Sequence, residues 1–426
     1  MPVHIKTYGC TLNQADSELM AGLLTDSGVS LASENRSEVV VVNTCTVKTP
    51  TQQKILHKIK ELESKGKNVV VTGCLASANQ ALIEKYAPKA SIVTTSNIGS
   101  ITRAVQETIL GKKVVINSYS RQDKLALFNG NDSVIAKVPI SEGCLSSCSF
   151  CETKSARGPL NSFSEDLIVN AVAMSARGGA KEVQITSQDT GAYGLDRRTN
   201  IARLMKRLSS IDGNFRIRIG MLNPEHLPKY LDAFIESLQN ERFYRFVHIP
   251  IQSGSNIVLS AMKRMYTVEQ FNSYVDALRQ KLTDVTIETD IIVGFPTETD
   301  SGFEETLDFV RKTKPNVVNM CRFWARPHAG ASKMEQLSTN LIAERSAELG
   351  RVVRRVQQDI NDAFIGREVD VFVTEREEKS MNCRTDSYKK VIIRERDTNE
   401  NVFIGNKIRV RIENASCNVL YGRPIG

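Results

Sequence analysis

Val39 to Asn43 is an almost unbroken β-branched run, and Asn68 to Thr72 is a second. Runs of that kind suit strands buried on both faces, as in a parallel sheet covered by helices. Asp16 to Leu24 sets Leu19, Met20, Leu23 and Leu24 at helical spacing, and Thr51 to Leu62, Gln80 to Tyr86 and Ile101 to Leu110 also read as helices. With Val3 to Tyr8 and Ser91 to Thr95 as further strands, residues 1–110 form a βαβ series. The expected class is therefore α/β, with an N-terminal parallel domain.

Residues 111–132 are polar and turn-rich, with Ser118-Tyr119-Ser120-Arg121 and Asn129-Gly130-Asn131-Asp132, and read as a linker. Residues 133–335 then repeat a strand–helix unit. The strands are Val134–Ile140, Glu182–Thr186, Arg216–Met221, Phe246–Ile251, Val285–Val293 and Val317–Phe323. Right-handed crossovers between them make an incomplete (β/α)6 barrel, whose active face lies at the carboxyl ends of the strands. Leu341 to Phe364 reads as a long connector helix with Arg345, Arg351, Arg354 and Arg355 on a basic or simply solvated face, so the core spans 133–362. Residues 363–426 turn to short strands at 369–373, 390–393 and 408–412, with turns at Gly366, Asp397, Asn401 and Gly405-Asn406. That pattern predicts a small antiparallel β-barrel.

Directly after the first core strand comes Cys144-Leu145-Ser146-Ser147-Cys148-Ser149-Phe150-Cys151. Thiolates this close in one loop suit an iron–sulfur cluster, and three of them leave one iron open. A zinc loop competes with that reading. Zinc sites usually add a second Cys-x2-Cys or nearby histidines, and none follows in a chain with five histidines. The Cys-x3-Cys-x2-Cys spacing resembles the signature of radical S-adenosylmethionine (SAM) enzymes, which implies that the open iron chelates SAM.

Three more cysteines sit just past strands: Cys10 after Tyr8-Gly9, Cys45 after Asn43-Thr44, and Cys74 after Thr72-Gly73. Parallel strands bring their carboxyl ends to one edge, so these thiols converge. Three buried structural cysteines would look the same, since free Cys is commonly buried. Gly9 and Gly73 favour a ligand instead, because glycine lets a backbone approach closely.

The formal net charge of +8 permits a polyanionic partner without proving one. No run of about 18 apolar residues occurs, so no membrane span is expected. Met1 to Lys6 lacks a signal-peptide pattern, so the expected location is cytoplasmic, where cysteines serve as metal ligands or free thiols.

The motifs Thr7-Tyr8-Gly9-Cys10-Thr11-Leu12-Asn13, Val42-Asn43-Thr44-Cys45 and Val71-Thr72-Gly73-Cys74, with the later cysteine loop and a terminal β-barrel, resemble the radical SAM methylthiotransferase family over essentially the whole chain. The resemblance implies a methylthiotransferase domain at 1–110, a radical SAM core at 133–362 and a TRAM RNA-binding domain at 363–426. It also implies two 4Fe-4S clusters, one on Cys144, Cys148 and Cys151 and one on Cys10, Cys45 and Cys74, together with SAM. The first cluster would reduce SAM to a radical-forming species and the second would carry sulfur. An electron donor and a sulfur donor are implied partners.

After Cys151 the bacterial branches, which act on isopentenyladenosine or a ribosomal-protein aspartate, carry a proline–aromatic pair before Arg-Gly. Thr153-Lys154-Ser155-Ala156-Arg157-Gly158 lacks that pair. With Thr186-Ser187-Gln188-Asp189-Thr190-Gly191-Ala192-Tyr193-Gly194, it resembles the archaeal and eukaryotic branch. The implied reaction converts N6-threonylcarbamoyladenosine at position 37 of tRNA to its 2-methylthio form, with the anticodon arm as partner. The competing expectations are the same chemistry on the bacterial acceptors, and a non-catalytic iron–sulfur RNA-binding or redox-sensing protein.

Position proposes three SAM contacts. Gln252 would meet the amino-acid part or cap a turn, and Asp290 would accept from ribose or bind backbone amides. Met262-Lys263-Arg264 resembles a family segment, which implies that Arg264 pairs with the carboxylate, the alternative being that it faces solvent. Arg326 and His328 follow the sixth strand and could meet substrate. Cys321 reads as core, Cys383 and Cys417 as structural thiols, and Trp324, the one tryptophan, as buried rather than stacked on a base. In the terminal barrel Arg384, Lys389, Lys390, Arg394, Arg409, Arg411 and Arg423 would meet RNA phosphates.

Overall fold

The computed structural model describes residues 2–46, 49–121, 123–128, 130, 133–398 and 402–425. The turn positions Asn129, Asn131, Asp132 and Asn401 lie outside the described residues. No helix among the described residues is long and apolar enough to cross a membrane.

The N-terminal sheet contains β1 (Pro2–Thr7), β2 (Ser30–Leu31), β3 (Val39–Thr44), β4 (Asn68–Gly73), β5 (Ser91–Val93) and β6 (Val115–Ile116), in the order β2-β1-β3-β4-β5-β6. Every pairing is parallel. The valines of β3 are fully buried. Val40 and Val42 pack with Ile55, Ile59 and Leu62 on one face, and Val39 and Val41 with Leu19, Met20 and Leu24 on the other. Helices on both faces are thus what the β-branched runs require. β6 lies within the stretch read as a linker and pairs Val115 with Ile92. Its two residues are too few to register as a strand in the sequence.

The core contains β7 (Ile135–Pro139), β8 (Ser141–Glu142), β9 (Asn161–Ser162), β10 (Glu182–Thr186), β11 (Arg216–Ile219), β12 (Phe246–His248), β13 (Thr286–Val293) and β14 (Val317–Arg322). Apart from the short antiparallel pair β8–β9, they form two parallel sheets, β11-β10-β7 and β12-β13-β14, joined by a bridge from Ile217 to Phe243. This is the open six-strand barrel. The connector helix runs Thr339–Asp362. Arg345 is not on a solvated face: it is buried and paired with Glu298 at 2.9 Å, whereas Arg351, Arg354 and Arg355 are exposed.

The terminal barrel is closed by β15 (Glu368–Glu377), β16 (Ser380–Thr385), β17 (Lys390–Arg394), β18 (Lys407–Ala415) and β19 (Leu420–Pro424). It is not wholly antiparallel, because β17 and β19 pair in parallel, Val391 opposite Leu420. β16 carries few apolar residues in a row, which hid it from a periodicity reading.

The turn between β16 and β17 closes the amino-terminal end of the core barrel. Tyr388 Oη donates to Glu182 Oε1 at 2.7 Å, its ring lies 5.0 Å from that of Phe246, and Asp386 pairs with Arg216 at 2.8 Å. Glu182, Arg216 and Phe246 begin β10, β11 and β12, so this dock lies opposite the cysteine loop. Arg384 stacks on Tyr388, and Lys389 Nζ donates to Asn361 Oδ1 at 2.7 Å. These two basic residues therefore serve the dock. Arg394, Arg409, Arg411 and Arg423 stay exposed.

Candidate active site between two cysteine triplets

The loop after β7 is pinned from several sides. Gly143 has φ +78°, and a Cβ there would lie 2.1 Å from the carbonyl oxygen of Pro159, so only glycine fits. Its N–H donates to Gln188 Oε1 at 2.8 Å. Ser149 N–H donates to Met262 O at 3.0 Å and its Oγ to Ala261 O at 2.8 Å. Cys151 N–H donates to Cys148 O at 3.1 Å, which wraps the loop on itself. Burial pushes the Cys144 thiol up to about 12, and the charge of Asp189 adds to the effect. Two donors already point at sulfur: Arg264 Nη1 lies 3.2 Å from Cys148 Sγ, and Thr153 N–H lies 3.4 Å from Cys151 Sγ. Three thiols in one wrapped loop, two of them with donors aimed at the sulfur, form a donor set that suits iron–sulfur ligation.

The other triplet follows from strand register. Thr7 pairs with Asn43, and Asn43 with Thr72, so the turns after β1, β3 and β4 are level. Asn13 ties them together: its Nδ2 donates to Tyr8 O and Thr44 O, each at 2.8 Å. Sγ of Cys10 and Sγ of Cys74 lie 3.9 and 3.6 Å from Oδ1 of Asn13. A Cβ on Gly9 would lie 3.0 Å from Cβ of Cys45, and one on Gly73 would overlap Asn43 and Thr44. Cys10, Cys45 and Cys74 therefore share one strand-end edge with glycines where the backbone is crowded.

A cavity of about 400 Å³ opens beside Cys151 and is lined by Gln252, Asp290, Trp324 and Arg326, with Thr46, next to Cys45, as its lining residue from the N-terminal domain. Gln252 is buried at φ +75° and is held by a bridge to Ile291. A non-glycine residue in that conformation stores strain, a frequent mark of ligand sites. Asp290 is held by Asn319 Nδ2 at 2.9 Å and lies 3.0 Å from His248 Nε2. Arg264 does not face solvent. Its Nε donates to Tyr266 Oη at 2.8 Å and its Nη2 to Asn223 Oδ1 at 2.7 Å, while Nη1 serves Cys148. Trp324 is 41 % exposed and Cys321 lines the cavity, so neither is the core residue that the strand pattern suggested. Cys383 is fully buried in the terminal barrel, His328 is exposed, and the cavity-lining Arg326 is buried.

Two elements of the site lay beyond sequence reasoning. Arg157, at the end of the short helix Thr153–Arg157, reaches the N-terminal triplet: its Nε donates to Cys74 Sγ at 3.4 Å and its Nη2 to Asn13 Oδ1 at 2.7 Å. Nη1 pairs with Asp16 at 2.6 Å and Glu142 at 2.9 Å, and Lys124 joins Glu142 at 2.7 Å. The second is a relay in which buried Asp189 accepts from Asn223 N–H at 2.9 Å, and Asn223 then holds Arg264. Arg157 and Asp189 both lie in the stretches that set the branch resemblance, which was the available signal.

Residues 2–95 match the family described as Uncharacterized protein family UPF0004, and residues 138–310 match the Radical SAM superfamily. A probable threonylcarbamoyladenosine tRNA methylthiotransferase of Pyrococcus abyssi is 40 % identical over 92 % of this chain and 93 % of its own. A threonylcarbamoyladenosine tRNA methylthiotransferase of Homo sapiens is 33 % identical over 99 % of this chain and 74 % of its own. Among solved structures, the radical S-adenosylmethionine methyltransferase TsrM of Kitasatospora setae, with cobalamin and a [4Fe-4S] cluster bound, superposes with a TM-score of 0.58 at 14 % identity. That superposition covers 78 % of this chain and 76 % of TsrM, and at this identity it speaks to the fold alone.

Proposed function

Because the chain belongs to the threonylcarbamoyladenosine tRNA methylthiotransferase family, we propose that it methylthiolates N6-threonylcarbamoyladenosine at position 37 of tRNA, with SAM and two 4Fe-4S clusters as cofactors. The observation that carries this reading is a pair of thiol triplets brought close together: Arg157, six residues past Cys151, donates to Cys74, and the cavity lined by Cys151 also takes in Thr46, next to Cys45. An electron-transfer protein needs one closed cluster site, whereas sulfur insertion needs sulfur and hydrogen removal within reach of the same base carbon.

The donor sets fit the clusters, with Cys144, Cys148 and Cys151 holding one and Cys10, Cys45 and Cys74 the other. Bound there, the clusters and SAM supply the one-electron chemistry and the sulfur that an unactivated adenine C–H bond demands. The residues of the chain orient and enclose. Arg264 and Thr153 N–H donate to the sulfurs of the core triplet, and Gln252 and Asp290 offer hydrogen bonds to SAM. Arg157, together with Lys124 from residues 111–132, ties the N-terminal domain to the core through a buried ion network around Asp16 and Glu142. Positioning of this kind is the protein's main contribution to such a reaction.

Residues 1–110 and 133–362 supply the two walls, with 111–132 between them. Residues 363–426 dock the anticodon arm through the exposed Arg394, Arg409, Arg411 and Arg423. A separate electron donor and a sulfur donor complete the cycle in the cytoplasm, where thiols stay reduced.

The test is anaerobic reconstitution with iron and sulfide, followed by reductant, SAM and threonylcarbamoyl-tRNA, with nucleosides analysed by mass. The expected product is the 2-methylthio nucleoside together with 5′-deoxyadenosine. Absence of 5′-deoxyadenosine removes the radical chemistry. Its formation without a methylthio product removes the substrate.

A further inference from the structure

We propose that Arg326 is a specificity-determining residue of the cavity and binds the carboxylate of the threonylcarbamoyl group. The proposal rests on the substrate reading above and assigns one of its contacts.

Arg326 follows β14 and is only 5 % exposed, yet it lines the cavity beside Cys151 and Thr46. A guanidinium carries five donors in a planar fork. Here Nη1 donates to Gln52 Oε1 at 3.1 Å, whereas Nη2 is buried without a hydrogen-bond partner. Among the described residues the one hydrogen-bond partner of Arg326 is the neutral Gln52, and Glu152 acts on it as a neighbouring charge. A buried charged donor left unsatisfied is costly, so the site is built for a group that arrives.

The neighbouring charges indicate what that group is. Glu152 and Asp290 are the acidic residues lining the cavity, and Arg322 at its rim is exposed. Arg326 is therefore the buried cation among the cavity-lining residues described. The other arginines of the site are already engaged: half-buried Arg264 donates to Tyr266, Cys148 and Asn223, and buried Arg157 to Cys74 and Asn13. Glu152 and the thiols of Cys45, Cys321 and Cys151 are the electrostatic neighbours of Arg326, yet its Nη2 makes no hydrogen bond, which leaves that donor open to an anion entering with the substrate. Among groups on a modified adenine, a threonylcarbamoyl substituent brings a carboxylate, and guanidinium matches carboxylate through two parallel hydrogen bonds. Gln52, on the helix Thr49–Ser64 of the N-terminal domain, fixes the plane of that fork. Trp324, two residues earlier, opens an aromatic face at the same cavity, against which the base can stack.

The test compares reconstituted holoenzyme with Arg326→Gln and Arg326→Lys on two synthetic anticodon stem-loops. One carries threonylcarbamoyladenosine, and the other the same nucleoside with its carboxylate replaced by a carboxamide. Methylthiolation, stem-loop affinity by fluorescence anisotropy and iron per chain are all measured. The wild-type protein should favour the carboxylate substrate by at least about a hundredfold in kcat/KM. Arg326→Gln should reduce that preference to within a few-fold, mainly through KM, at unchanged iron content, and Arg326→Lys should keep part of it. An Arg326→Gln protein that keeps the full preference overturns the proposal. So does one that loses iron and loses activity equally on both stem-loops, because Arg326 would then serve the Cys45 cluster. If Arg326→Gln does not fold, a full preference in Arg326→Lys, whose single ammonium cannot form the fork, overturns it. A wild-type protein that modifies neither stem-loop removes the substrate reading, and this contact with it.

Discussion

Arg157 Nε donates to Cys74 Sγ at 3.4 Å, which joins a residue just past the core cysteine loop to the last cysteine of the N-terminal triplet. The same side chain is fully buried and pairs with Asp16 of one domain and Glu142 of the other. Removing Arg157 leaves Asp16 and Glu142 to share Lys124 alone, so one buried negative charge goes uncompensated, a loss of up to about 3–5 kcal/mol. Arg157→Gln should therefore lower stability to denaturant by that amount, with Asp16→Asn partly restoring it in the double variant. Equal stability of Arg157→Gln and wild type would show that the two domains are held by other contacts.

Gln252 sits at φ +75° in the cavity. Two effects separate there. Gln252→Gly relieves the backbone and should be more stable than Gln252→Ala by about 1 kcal/mol, because alanine keeps the strain. Both variants lose the amide and should bind SAM more weakly than wild type. Thermal unfolding and equilibrium dialysis of reconstituted protein read the two effects independently. A glycine variant no more stable than the alanine variant would argue against strain.

Gly73, at φ +88°, precedes Cys74, and a Cβ there would lie 2.3 Å from Asn43 Oδ1 and 2.4 Å from Thr44 O. Asn43 is itself held, its Nδ2 donating to Asn13 O at 2.7 Å. Gly73→Ala must therefore displace Cys74 rather than its neighbours. Iron bound after reconstitution should fall by about half, as one of two clusters is lost while the other remains. Full iron loading of Gly73→Ala would count against Cys74 as a ligand.

Lys389 supplies a pH dependence. Burial in the dock lowers its ammonium from 10.5 to about 8, with Asp284 opposing the shift. Between those values the unfolded chain binds the extra proton and the folded chain does not, so stability rises with pH across that window. The penalty is fully present below about pH 8 and amounts to at most about 3 kcal/mol. Denaturant midpoints of wild type should therefore gain on those of Lys389→Met between pH 8 and pH 10. A constant difference between the two proteins would mean that Lys389 titrates as it does in solvent.

The sequence alone determined the longer elements and the positions of the six cysteines, but not β6, β16 or the roles of Arg157 and Asp189. Buried β-branched runs such as Val39–Asn43 can satisfy both faces only inside a helix-covered parallel sheet, and a cysteine after each such strand must then reach one edge. The tertiary structure decided what depends on distant parts of the chain meeting. Trp324 and Cys321 sit in an apolar strand pattern, but the barrel is open at that edge, so they face a cavity instead of a core. Lys389 and Arg384 look like an RNA-facing pair until the β16–β17 turn docks on the core barrel and half-buries them against Asn361 and Tyr388. Arg157 reads locally as the end of a five-residue helix, and only the docking of two domains gives its guanidinium Asp16, Asn13 and Cys74 as partners. Periodicity records which face of its own element a residue occupies, whereas contacts across domains depend on packing that no local pattern encodes.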